Sequence, residues 1–195
     1  MSLYTYELHL LRESARGSFI DDLQGAGLIR IVADDIEFLG LRCTTSITQL
    51  PAGVTAIELA PNISEFERFL AERGDELVRW MWSVMEQVGL LYAFIPGGGD
   101  FKYYENGVPT DEVAWTQLPE LLETGAVRVV HPLMMFAARV GHARPCDRVK
   151  TLNWDLCECR DGIGCLIGLT SPRGERGFDI LEPGTTYPQL KKLWA

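Results

Sequence analysis

Residues 63–88 carry an apolar surface too wide for an ordinary helix. Projected at 100° per residue, Leu77, Val78, Trp80, Met81, Trp82, Val84, Met85 and Val88 fill an arc of about 200°. Arg79, Ser83, Glu86 and Gln87 occupy the rest. A surface helix needs a stripe little more than 100° wide. Trp80 and Trp82 lie about 200° apart on it, so both are buried only if two layers enclose the helix. Otherwise one of them covers a partner. Ser64 followed by Glu67 has the spacing of a capping box at the helix start. Gly74 weakens the middle and Asp75 can cap a second piece, so a break is expected there.

The segments around this helix read mostly as strands. Tyr4, Tyr6, Leu8 and Leu10 alternate with Thr5, Glu7 and His9, the pattern of a half-buried strand. Ser18 is placed to cap a short helix over 17–23, with Phe19, Ile20 and Leu23 on one side. Residues 28–32 and 36–41 flank a polar turn and predict a hairpin. Residues 54–59 read as a further strand closed by Pro61, and 90–95 as a buried one. Pro96-Gly97-Gly98-Gly99-Asp100 breaks the chain and marks a subdomain boundary near 96–100 within a single domain, 1–195. Beyond it, 101–104, 127–131 and 133–140 read as strands, 118–123 as a short helix, and 188–194 as one or two helical turns. Asp161-Gly162 between 152–160 and 163–170 is a strong hairpin signal. The sum is α+β, a largely antiparallel sheet with one long, broken helix packed on it. The order of elements over 4–95 allows a ferredoxin-like N-terminal unit, although the strand at 54–59 is extra to it.

Charge narrows the partners. The chain of 195 residues has a formal net charge of -9, and residues 1–100 hold 15 Asp/Glu against 7 Lys/Arg. Such a surface repels phosphate, so nucleic acid is not expected as a partner. The longest apolar run, 88–96, is about half the 18 residues a membrane span needs. With no basic leader at the N-terminus, a cytoplasmic chain is expected. Five cysteines in a chain of this size read most simply as thiols in a reducing compartment, with one pair plus leftovers as the other account.

Three sets of residues carry chemistry. Cys157 and Cys159 share a strand face, Cys165 joins them across the hairpin if the register places it there, and Cys146 lies upstream. Four converging thiolates would make a structural zinc site, although one C-x-C is not the usual ligand spacing. Arg139, His142, Arg144, Arg148 and Lys150 form the basic stretch of the chain and suit a small carboxylate or phosphate. The third set is acidic and aromatic: Asp21, Asp22, Asp34, Asp35 and Glu37, with Trp80 and Trp82 as anchors. No nucleophile elbow, H-E-x-x-H or P-loop occurs. The leading expectation is therefore a non-enzymatic, acidic protein-binding modulator of the immunity or inhibitor kind, without a cofactor, acting on a protein partner and able to self-associate. The alternative is an enzyme or ligand-binding domain for a small anion at the 139–150 segment. The zinc hairpin is a second alternative.

Overall fold

The computed structural model describes residues 7–50, 53–95, 104–105, 108–109, 133–139, 144, 146–147, 156–168, 170–173 and 177–180. The segments expected at 96–103, 118–123, 127–131 and 188–194 lie outside them. In chain order the elements are β1 (Leu8–Glu13), a 3-10 turn (Ser14–Arg16), α1 (Phe19–Gly25), β2 (Arg30–Val32), β3 (Asp35–Phe38), β4 (Leu41–Leu50) and β5 (Val54–Pro61). There follow α2 (Ile63–Gln87), β6 (Tyr92–Ile95), β7 (Tyr104–Glu105), β8 (Val108–Pro109), β9 (Leu133–Ala137), β10 (Leu156–Arg160), β11 (Gly164–Gly168), β12 (Thr170–Arg173) and β13 (Gly177–Ile180). Nine strands form one sheet in the order β10-β11-β9-β6-β1-β5-β4-β3-β2, with antiparallel pairing at every step. The fold is α+β, a large antiparallel sheet with α2 packed on it.

The wide apolar arc of α2 is enclosed from two sides. Trp80 packs on Phe38 of β3, ring centroids 4.8 Å apart, and its indole N–H donates to the Leu28 carbonyl at 2.8 Å. Trp82 donates to Glu158 Oε2 of β10 at 2.9 Å, and the Arg160 guanidinium lies over its ring. These partners stand near opposite ends of the strand order, so the sheet curls until both ends reach the same helix. β13 also runs alongside α2. Both tryptophans are therefore core residues, 5% and 1% exposed.

The start of α2 differs from the capping-box expectation. Asn62 is the cap, its side chain accepting from Glu65 N at 3.3 Å, and Ser64 lies within the first turn. β5 ends at Pro61, so the chain turns one step earlier than Ser64 requires. The expected break is present as a kink at Arg73, φ −140°, immediately before the buried Gly74. Ser18 caps α1 as anticipated, accepting from Asp21 N.

β1 is central, and its neighbours β5 and β6 both run antiparallel to it. β5, α2 and β6 thus form one split βαβ unit around β1. With α1 between β1 and β4, the strands β6-β1-β5-β4 keep the order and antiparallel pairing of the expected ferredoxin-like unit; β5 belongs to it, and the β2–β3 hairpin is the addition at the sheet edge. Leu8, Leu10, Ile57, Leu59, Ala93 and Met135 pack towards α2 with Phe66, Leu77, Met81 and Met85. Leu11, Tyr92, Phe94, Met134, Phe136 and Ile167 are buried on the opposite face. Tyr4 and Tyr6 of the strand expected at the N-terminus lie outside the described residues, and Leu8–Arg12 are buried on both faces rather than one. Complete burial of each large apolar side chain contributes roughly 1.5–3 kcal/mol.

Gly164 fits because it has no side chain. A Cβ there would press into the Phe136 carbonyl of the paired strand, which is backbone and cannot swing away. Gly164→Ala is expected to cost about 1–3 kcal/mol, read as a lower urea midpoint with an unchanged slope.

Candidate metal centre

Strand register brings three donor residues together on the sheet face opposite α2. Glu58 of β5 and Phe94 of β6 are the direct cross-strand neighbours of His9 on β1. Glu7 lies two residues before His9 and projects to the same face. His9 Nε2 stands 3.5 Å from Glu7 Oε2. One ligand atom from each of Glu7, His9 and Glu58 lies within 4.8 Å of the other two. The His9 ring is buried and stacks on Phe94 at 4.7 Å with an 8° interplanar angle. Phe94 stacks in turn on Tyr92, and Tyr92 on Phe136, at 4.9 and 5.0 Å. This ladder across β1, β6 and β9 leaves the imidazole little freedom to turn.

The electrostatics favour a cation between the carboxylates. Burial pushes the Glu58 carboxyl above the usual range, and the nearby Glu7 charge pushes it further. His9 and a hydrogen bond from Ser46 on β4 act in the opposite direction. Glu7 and Glu58 are each half-buried, so the cluster keeps a side towards solvent. An imidazole with two carboxylates can coordinate a metal ion, and three protein ligands leave coordination positions for water or a bound group.

The structure distributes the other candidate residues as follows. Asp22 pairs with Arg12 at 2.5 Å, Asp35 with Arg42 at 2.7 Å and Glu37 with Arg30 at 2.6 Å, while Asp21 and Asp34 are exposed. Three of the five acids therefore balance arginines of this chain. With Trp80 and Trp82 buried, neither ring offers a surface for a partner. Arg139 and Arg144 line one cleft, and His142, Arg148 and Lys150 lie outside the described residues. Cys159 and Cys165 face each other in the β10–β11 register and form a disulfide, unlike the five thiols expected. That bridge engages two of the four sulfurs proposed for zinc. Cys146 is buried against the Phe136 and Ala137 carbonyls, and Cys157 is exposed.

The remaining cysteines differ in reactivity. Burial, with the charges of Asp35 and Glu65, pushes the Cys43 thiol up to about 12. Iodoacetamide at pH 8 should alkylate exposed Cys157 first and leave Cys43 unmodified until the chain unfolds, as read by peptide mass spectrometry.

Sequence reasoning missed the Glu7–His9–Glu58 cluster for a specific reason. Glu7 and His9 were legible as neighbours on one strand face, but Glu58 joins them only through the β1–β5 register. Among the described residues no helix is long and apolar enough to cross a membrane. No family model, curated protein or solved structure matches this chain.

Proposed function

We propose that the chain is a ligand-binding domain, not a catalyst, organised around one divalent cation held by Glu7, His9 and Glu58. The observation that carries this reading is the mutual approach of one nitrogen and two carboxylate donors within 4.8 Å. The mixed donor set suits a first-row cation such as Zn²⁺ or Mn²⁺ better than Ca²⁺, which prefers all-oxygen cages. Phe94 behind the imidazole supplies the fixed backing that metal-bound histidines need, although here it is a ring face rather than a hydrogen-bond acceptor. The open side of the cation is where a carboxylate or water would complete the coordination shell.

Titration of the metal-free protein with Co²⁺ tests this directly. The expected result is a one-to-one endpoint and a weak visible d–d spectrum with no sulfur-to-metal charge-transfer band in the near ultraviolet. A strong charge-transfer band would assign the cation to cysteine and overturn the reading. So would the absence of any saturable signal.

A further inference from the structure

A cleft lies at the β9–β11–β10 end of the sheet and shares no residue with the Glu7–His9–Glu58 cluster. Where β9 ends, the chain from Ala137 to Arg139 runs beside the Asp161-Gly162-Ile163 turn, and together they wall a cleft of about 400 Å³. That volume falls in the range of small-molecule sites. The walls are held firmly. Ala138 N donates to the Ile163 carbonyl at 2.8 Å, the Cys159–Cys165 disulfide joins the two strands beneath, and Cys146 seals the floor against the Phe136 and Ala137 carbonyls.

Arg139, Arg144 and Arg160 line this cleft, against Asp147 and Asp161. Arg139 and Arg144 bring two cations to this cleft in a chain whose net charge is -9. Arg160 is fixed in place, stacked over the Trp82 ring at 4.3 Å and paired with Glu86 of α2. Arg139 and Arg144 are exposed and make no ion pair with any described residue. Their forked donors match the two oxygens of a carboxylate or phosphate. The two aspartates in the same wall would repel a long polyanion, so a small, singly or doubly charged ligand suits the cleft best.

We infer that this cleft binds a small anion bearing a carboxylate or phosphate group, gripped by Arg139 and Arg144. Isothermal titration of the full chain with inorganic phosphate and with succinate, in metal-free buffer at constant ionic strength, tests it. Saturable one-to-one binding of at least one of the two is expected, and the stronger of them identifies which group the arginines select. Arg139→Gln and Arg144→Gln should each weaken it about tenfold, Arg144→Lys less, because the charge remains and the fork is lost. Arg79→Gln, which removes an exposed arginine paired with Asp75 on α2, should leave binding unchanged. Both cleft arginines lie on the surface, so circular dichroism should show all variants folded. No saturable heat from either anion overturns the inference. An equal loss in Arg79→Gln does the same, because it would show general charge attraction. Since the buffer holds no metal, failure here leaves the Glu7–His9–Glu58 reading standing, and failure of that reading leaves this one.

Discussion

Trp82→Ala should destabilise the protein by about 3–5 kcal/mol, the range for emptying a buried tryptophan site. For a chain of this length that corresponds to a drop in Tm of about 10 °C, measurable by calorimetry. The loss exceeds the volume term. Trp82 is 1% exposed and joins α2 to β10, elements far apart in the chain, through its N–H on Glu158 and its ring beneath Arg160. Removal leaves the Glu158 carboxylate and the Arg160 guanidinium without that support and opens the seam that closes the sheet around α2. Trp82→Phe keeps most of the ring and loses the hydrogen bond, so it should cost about 1–2 kcal/mol. Equal effects of the two variants would show that the hydrogen bond, not the packing, holds the seam.

The second large effect concerns the cation. His9→Ala should weaken Zn²⁺ or Mn²⁺ binding at least about a hundredfold, since it removes the one nitrogen donor and the ring that Phe94 positions. Glu58→Gln should come close to that, because an amide oxygen is a weaker donor without charge. Glu7→Gln should cost about tenfold, as Glu7 precedes β1 and is the least constrained of the three. Glu58→Gln has a second consequence. It replaces a carboxyl that burial and Glu7 hold in an unfavourable charged state, so the metal-free variant should be at least as stable as the parent. A variant that binds no metal and unfolds no earlier separates the ligand role from a structural one. His9→Ala alone cannot make that separation, because the imidazole is also packed in the core of its face.

Much of this architecture was legible in the residues, and the exceptions have physical causes. The 200° arc of α2 limited it to enclosure on two sides or cover by a partner, because helical spacing is a local property. Ser18 and Asp161-Gly162 were legible for the same reason, since caps and tight turns depend on a few adjacent residues. β4 was not legible. Its run of Thr44, Thr45, Ser46, Thr48 and Gln49 has an exposed, polar character that hydrophobic alternation passes over, although threonine is β-branched and suits a strand. The strand expected over 36–41 is cut by a turn, where Leu39 and Gly40 both adopt positive φ. Pairing across distant strands was the larger gap. Nothing local places Glu58 opposite His9, or folds both ends of a nine-stranded sheet onto Trp80 and Trp82. The cysteine hairpin shows both sides of this. Period-two geometry gave the shared face of Cys157 and Cys159, while the pairing of Cys159 with Cys165, and hence a disulfide instead of a metal, depended on the register.

The two proposed sites differ in setting: Glu7, His9 and Glu58 lie on the central β1 and β5, and the arginine cleft at the β10 edge of the sheet. Tyr92 and Phe136 connect them physically, since Phe136 is the cross-strand partner of Cys165 and the last ring of the ladder that starts at His9.

Crystals soaked in Zn²⁺ and measured on either side of the zinc absorption edge give the most direct test. The difference map should show one strong peak about 2.0–2.2 Å from His9 Nε2 and from an oxygen of each of Glu7 and Glu58. A peak at Cys157 instead, or none within reach of His9, would contradict the account.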